Sequence, residues 1–404
     1  MPSRKKSGAS MKTGRAGRTE KRKKTAKKAA PASARAAKTP KVRFAVVGLG
    51  YFAQAAVLPA FAHAGTCQLT ALVSDDPLKL KTLARKYGVA KTYTYDQYQE
   101  CLASNEVDAV YIALPNDLHR EYTVRAAKMG VHVLCEKPMA VTERECEEMI
   151  REAGEHDVRL MVAYRLHFEA ANLEAVKAVQ SGAIGEPRLF QSAFTMQVKD
   201  KDNIRMRADK GGGTLYDIGV YCINAARYLF RDEPYEVYAC TTHKDEPRFQ
   251  EVEEMASAIL RFPGERLAAF TCSFGAAGCA AYRLIGTEGD IQLEPAYEYD
   301  LPTRMRVTSK GRTREKNFSK RDQIAPELMY FADCVLKGTE PEPSGMEGLA
   351  DLRVVRALYE SARMGRPVRL DPFEKRARPV PEQRRDVPPI EEPDLVHAQA
   401  PGEG

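Results

Sequence analysis

The stretch Lys41–Ala53, KVRFAVVGLGYFA, constrains the fold more than any other in this chain of 404 residues. Val42, Phe44, Ala45, Val46 and Val47 form an apolar β-type run with no polar alternation, which suits a strand buried on both faces of a parallel sheet. Gly48 permits the tight turn out of that strand, Gly50 lets backbone approach a diphosphate, and Ala53 in the third glycine's place keeps the following helix close to the sheet. The spacing predicts a dinucleotide-binding turn in which Gly48, Gly50, Tyr51, Phe52 and Ala53 meet the cofactor. It also fits a tight strand-to-helix turn with no ligand, so the remainder of the chain has to decide.

From residue 41 strands and helices alternate. Strands are predicted at 67–74, 92–95, 109–114, 132–135 and 159–163, with helices over 54–64 (interrupted near Pro59), 77–87, 96–104, 116–129 and 142–155. Such regular alternation specifies an α/β fold, a doubly wound Rossmann sheet with ligands at the carboxyl ends of its strands. At about Tyr164 the pattern changes. A helix over 169–180 leads into short strands at 187–195, 236–242, 256–261, 267–274 and 282–285 joined by tight turns, which reads as an α+β domain with a large, open, mostly antiparallel sheet. Helices at 325–337 and 346–364 follow. The expected organisation is a basic tail (1–40), a cofactor-binding domain (41–163), a substrate-binding and oligomerisation domain (164–370), and an irregular Pro, Glu and Arg-rich tail (371–404).

Composition narrows the class. The net charge of +7 is misleading, because residues 1–40 hold fourteen Lys or Arg and one Glu, leaving the rest of the chain at about −6. The tail has almost no large apolar side chains to offset chain entropy and is expected to be disordered. It lacks the apolar core of an export signal, so a cytoplasmic protein is expected. Without interleaved aromatics it reads as a solubilising leader more readily than as a nucleic-acid contact. No run of eighteen apolar residues is present, so no membrane span is expected. Nine scattered cysteines with no C-x-x-C pair, and histidines without ligand spacing, predict neither a disulfide framework nor a metal site.

Several stretches carry chemistry. The second strand ends on Ser74, with Lys79 five residues on. That pair would accommodate an NADP 2′-phosphate, whereas Asp75, if turned to the ribose, would favour NAD. Lys79 alone is equally an ordinary solvated lysine. Leu114-Pro115-Asn116-Asp117-Leu118-His119 closes the fourth strand and can line the cofactor groove, though Asn116 also suits a helix cap and His119 a local partner. Cys135-Glu136-Lys137-Pro138 closes the fifth strand and puts a lysine where the nicotinamide should sit, able to polarise a substrate oxygen. In GGGTLYDIGVY the glycines give a flexible entry to a helix, and Asp217 and Tyr221, four apart, share one of its faces. That pair could also be only a buried brace.

Taken together, GLGYFA, ALPNDLH, CEKPMA and GGGTLYDIGVYCINAARYLF resemble the Gfo/Idh/MocA oxidoreductases, most closely the glucose-fructose oxidoreductase branch, over roughly residues 41–370. The resemblance implies Lys137 as the family's E-K-P lysine, in a typically cis Lys-Pro bond, and Ser74 and Lys79 as the 2′-phosphate ligands. It implies Asp217 and Tyr221 as the remaining catalytic pair, with Tyr221 as general base toward a sugar's anomeric hydroxyl and Lys137 and Asp217 orienting it. Arg165 falls in a family segment and would meet the substrate or the cofactor's carboxamide side, while Arg205 and Arg207 are candidates for substrate hydroxyls or a phosphate; each of the three could equally form a domain-bracing ion pair. Glu136 joins the cofactor-facing residues. The open sheet would mediate a homodimer or homotetramer. The chain departs from that branch's periplasmic members in carrying a lysine-rich leader where they have an export signal and a proline-containing arm, which leaves export, arm exchange and a permanently held cofactor without support.

The expected activity is therefore an NADP-dependent (NAD possible) sugar oxidoreductase transferring hydride at C1 of a cyclic aldose. The alternatives are a trans-dihydrodiol or inositol-like polyol dehydrogenase, and a cofactor-sensing regulator without turnover.

Overall fold

The computed structural model describes residues 11, 13, 14, 17, 40–375 and 377–402, so nearly all of the basic segment lies outside the described residues. Six parallel strands, β1 (Val42–Val47), β2 (Cys67–Val73), β3 (Lys91–Tyr93), β4 (Ala109–Ile112), β5 (His132–Glu136) and β6 (Leu160–Ala163), form a sheet in the order β3-β2-β1-β4-β5-β6. The order reverses between β1 and β4, where a doubly wound sheet opens a crevice for a ligand. All four residues of β4 and all four of β6 are buried, the physical basis of their unbroken apolar runs. Arg43 pins β1 to β4, its backbone N–H and its guanidinium both donating to Asp108 at 2.6–2.9 Å.

The connections are α1 (Leu58–Ala60), α2 (Pro77–Tyr87), α3 (Tyr98–Ala103), α4 (His119–Lys128) and α5 (Glu143–Glu155). Asp76 caps α2 through the Leu78 and Lys79 amides, and Gly88 closes it in the left-handed conformation, the local chemistry such a helix requires. Thr142 and Glu145 form a capping box on α5. Two connections differ from the sequence reading. The helix expected over 54–64 is a π turn, Ala53–Val57, running into the single turn of α1. The helix expected to start under an Asn116 cap opens as a 3-10 turn, Asn116–Leu118, without a side-chain cap. Asn116 instead donates its amide to the Gly211 carbonyl at 2.9 Å, ninety-five residues away.

The second sheet has nine strands: β7 (Pro187–Thr195), β8 (Glu236–Thr242), β9 (Met255–Phe262), β10 (Arg266–Ser273), β11 (Cys279–Gly286), β12 (Gly289–Glu294), β13 (Thr303–Ser309), β14 (Arg312–Phe318) and β15 (Val368–Arg369). Their order is β14-β13-β12-β11-β7-β10-β9-β8-β15, antiparallel except for β7 beside β10. Helices α6 (Ala170–Gln180), α7 (Val220–Phe230), α8 (Ile324–Lys337) and α9 (Gly345–Met364) complete the fold. Ile324, Leu328 and Phe331 of α8 share a core with Val42, Phe44 and Val46 of β1, whereas α9 packs with β6 and β8. The Rossmann sheet is therefore braced by helices that follow the second sheet in sequence. Among the described residues of 371–402 there is one 3-10 turn, Pro381–Gln383, yet the segment is fastened by Lys375 to Glu342 and Glu347, Arg378 to Glu233 and Arg385 to Asp333 at 2.6–2.9 Å. Among the described residues no helix is long and apolar enough to cross a membrane.

Candidate active site

Gly48 leaves β1 with φ +92°, its N–H bonded to the Val73 carbonyl at 3.0 Å, and a Cβ there would strike the Ala113 carbonyl. Only glycine tolerates both constraints. At Gly50, apart from its chain neighbours, no heavy atom lies within 4 Å of where a side chain would begin, so that side of the loop is open. Tyr51 and Phe52 turn toward Tyr299, through a hydroxyl contact of 3.3 Å and an edge-on ring contact of 5.7 Å. Ala53 is buried against the sheet.

At the end of β2, Ser74 is buried and its Oγ accepts the Asp76 N–H at 3.2 Å. Asp75 accepts the Tyr95 N–H at 2.8 Å, so its carboxylate is drawn to the β3–α3 connection. Lys79 begins α2 with its backbone N–H on Asp76.

The chemical centre gathers where β5 meets the helix entry at 211–221. The Lys137–Pro138 bond is cis. Lys137 Nζ donates to the Asp217 carbonyl at 2.7 Å and to Asp217 Oδ1 at 3.1 Å, while Arg205 Nε donates to Asp217 Oδ2 at 2.6 Å. Both carboxylate oxygens are therefore taken by cations. Burial works against each charge, but Arg205 and Lys137 hold the Asp217 carboxyl well below its ordinary range. For Lys137 burial alone would depress the ammonium; Asp217, Tyr221 and Glu136 outweigh it and raise it. Asp217 lies in a π turn, Leu215–Gly219, and Tyr221 in the first turn of α7.

Tyr221 is where expectation and structure diverge most usefully. Lys137 Nζ sits over the face of its ring, 4.9 Å from the centroid, and does not reach the hydroxyl. The hydroxyl's partner is Arg165, whose Nη2 is 3.4 Å away and whose guanidinium stacks 5.1 Å from the ring centre. Arg165 is buried and held by Gln323 Oε1 at 2.5 Å and by the Tyr297 carbonyl. The cation at the Tyr221 hydroxyl is thus Arg165, with Lys137 as a second positive charge over the ring face.

Three further expectations are corrected. His119 has no exposed surface, and its ring nitrogens meet the Leu114 and Pro138 carbonyls, each at 2.9 Å. It positions the 114–116 loop relative to the Lys137 turn and does not face the groove. Arg207 points outward to Asp209 and Glu251 at 3.2 and 3.5 Å, away from Asp217. The triple glycine is not a flexible entry. A Cβ on Gly212 would lie 2.5 Å from the Arg205 carbonyl, and Gly213, at φ +117°, donates to that same carbonyl at 3.0 Å. Glycine there allows the close approach that brings Arg205 onto Asp217.

A Cβ on Gly48 would also lie 3.1 Å from Leu114 Cδ2, so the Leu114 side chain packs beside the glycine turn. Glu136 is enclosed, accepts from the Tyr111 hydroxyl at 2.5 Å, and is pushed up by burial. Sequence reasoning missed Gln323, Tyr297 and Tyr299, which hold or cover Arg165, and Glu327, buried with no hydrogen-bond partner on either carboxylate oxygen. Burial, reinforced by Glu136, raises Glu327 well above the carboxylate range, favouring its protonated form. A carboxyl on the buried face of the apolar run IAPELMYFADCV was the signal available for it.

Residues 42–164 match the oxidoreductase family with an NAD-binding Rossmann fold, and residues 172–292 match the Gfo/Idh/MocA C-terminal domain. D-xylose 1-dehydrogenase [NADP(+)] of Haloarcula marismortui is 35% identical over 82% of this chain and 93% of that protein. The crystal structure of aldose-aldose oxidoreductase from Caulobacter crescentus complexed with glycerol is 39% identical, with a TM-score of 0.79 over 82% of this chain and 100% of that one. Trans-1,2-dihydrobenzene-1,2-diol dehydrogenase of Xenopus tropicalis is 28% identical over 76% of this chain and 90% of that protein. With both halves of the fold matched and the Lys137, Asp217 and Tyr221 cluster assembled at the carboxyl end of β5, the chain belongs to the Gfo/Idh/MocA family of NAD(P)-dependent oxidoreductases.

Proposed function

We propose that this protein is an NADP-dependent sugar oxidoreductase acting at C1 of a cyclic aldose or the corresponding lactone, with residues 41–163 taking the cofactor and 164–370 the sugar. The observation that carries the reading is the Tyr221 hydroxyl, bordered by the Arg165 guanidinium and, beneath its ring, by Lys137. A bound nicotinamide supplies the carbon that exchanges hydride. Tyr221 Oη, acting as the phenolate beside the Arg165 guanidinium, takes the proton of the anomeric hydroxyl and becomes the neutral phenol as C1–H departs as hydride. Lys137 faces the charge developing on the sugar oxygen. Asp217 is a positioning residue, since each of its carboxylate oxygens holds one of the cations Lys137 and Arg205 in place.

Preference for NADP is supported by Asp75, whose carboxylate is engaged by Tyr95 and withdrawn from a ribose, and by Ser74 and Lys79 at the same strand end. The named activities of the xylose and aldose relatives support a sugar. The dihydrodiol relative supports a second reading with the same hydride chemistry on a cyclic diol. The outer face of the nine-stranded sheet carries exposed Tyr238, Ile259 and Leu267, which suits a homo-oligomer through that face. The test is to assay purified protein with aldoses, polyols and dihydrodiols, each with NADP and with NAD, following the reduced nicotinamide. Turnover of aldoses with NADP is expected. Turnover confined to diols, or none on any substrate, would overturn the sugar assignment.

A further inference from the structure

Gln54 directly follows the glycine loop and is 1% exposed. Its Nε2 donates to the Leu49 carbonyl and to the Val396 carbonyl, both at 2.9 Å, and its Oε1 accepts the Val396 N–H at 2.8 Å. One side chain thus ties the loop between the two cofactor-facing glycines to both backbone groups of a residue near the end of the chain. One residue on, His397 Nδ1 lies 2.8 Å from Asp76 Oδ2, the carboxylate whose other oxygen caps α2 beside Ser74 and Lys79. His397 adopts φ +45°, an uncommon conformation for a residue with a Cβ that persists only where surrounding contacts hold it. On either side, Lys86 Nζ donates to the Asp394 carbonyl and the Lys199 N–H to the Pro401 carbonyl, each at 3.4 Å.

This segment therefore touches the glycine loop, the helix start at the carboxyl end of β2, and the loop that leads to Arg205. These are places where a dinucleotide and its substrate would be held, contributed by three separate elements. We infer that residues 394–401 form a clasp over the dinucleotide groove, with Gln54 as the positioning residue that couples it to the glycine loop, so that release of the cofactor requires the segment to let go. The inference rests on the proposed function only in taking residues 48–53 and 74–79 as the cofactor's seat. Its consequence is slow cofactor exchange, achieved by the chain's own C-terminal segment.

The full chain is compared with a form ending at Pro393 and with Val396→Pro, which removes one N–H and leaves the Gln54 bond to Leu49 intact. Each is loaded with NADPH and chased with excess NADP, and release is followed by fluorescence. Both altered forms should release NADPH about tenfold faster or more, the effect of losing one or two hydrogen bonds of ordinary net strength. The rate of a single hydride transfer should be nearly unchanged. Equal release rates from all three, with NADPH demonstrably bound, would overturn the clasp and leave the cofactor reading standing. Failure of every form to bind NADPH would overturn both.

Discussion

Two clusters of enclosed charge sit in this protein, built from the same residue types and used differently. In the cleft, Lys137, Asp217 and Arg205 form a short chain whose side chains keep 13%, 17% and 27% exposure. Behind it, Arg227 bonds Glu233, Glu347 and Asp351 at 2.5–2.7 Å with no exposure at all, and Asn224, Lys375 and Arg378 close the remaining positions. Burial works against the charge of all three carboxyls there. Arg227 and Lys375 keep Glu347 ionised, and the charge on Glu347 then holds Asp351 up. The sealed cluster joins α7, α9 and the C-terminal segment and has no room for a substrate. The open one leaves a cationic face toward Tyr221. The lesson is that charge and burial do not mark a reactive site; access does.

The comparison yields tests in descending size. Tyr221→Phe should lower turnover by about 10²–10⁴-fold with cofactor affinity nearly unchanged, the loss of a general base; unchanged turnover removes Tyr221 from that role. Lys137→Met should cost about 10²–10³-fold in turnover while denaturant unfolding shifts little. Arg227→Met should do the reverse, losing about 3–5 kcal/mol of stability by stranding buried carboxylates, with normal turnover per folded molecule. If both variants behave alike in the two assays, the division between the clusters fails.

Asp217→Asn sharpens the same point through pH. The folded Lys137 ammonium is raised, so its cation is retained past the ordinary value of about 10.4 and lost only as pH rises further. Removing Asp217 leaves burial as the dominant influence on Lys137. The alkaline limb of kcat/KM should then move to lower pH, and an unmoved limb would show that Asp217 does not hold the lysine. The folded Asp217 carboxyl is depressed, so the pair's stabilisation is present above its ordinary value of about 3.9 and fades only as pH falls below it. Smallest is Arg207→Ala, which removes an outward surface ion pair and should change stability by less than about 1 kcal/mol and leave KM for substrate as it was.

Much of the fold was legible because burial writes itself locally. The unbroken apolar runs of β4 and β6, and that of β1 after Arg43, follow from a sheet covered on both faces, and β7 and β8 were read with the bounds the structure gives. The strand β14, RTREKNF, was not, because it is an edge strand wet over nearly its whole length; its charges guard an open edge and leave no alternation to read. The π turns at 53–57 and 215–219 were also missed, since their sequences satisfy helical patterning equally well.

Within the site, the sequence by itself determined the types of residue and their local positions: the glycine loop, Ser74 and Lys137 at strand ends, and Asp217 and Tyr221 at a helix entry. Those positions follow from turn chemistry and strand ends, which are local properties of the chain. Only the tertiary structure decided which groups meet. Lys137 and Asp217 are eighty residues apart, Arg165 and Tyr221 fifty-six, and Gln54 and Val396 three hundred and forty-two. It placed Arg165, and not Lys137, at the tyrosine hydroxyl, closed His119 away, and laid the C-terminal segment on the glycine loop. No periodicity encodes such pairings, because they are fixed by how two sheets and a returning chain pack, and not by the conformation of any one stretch.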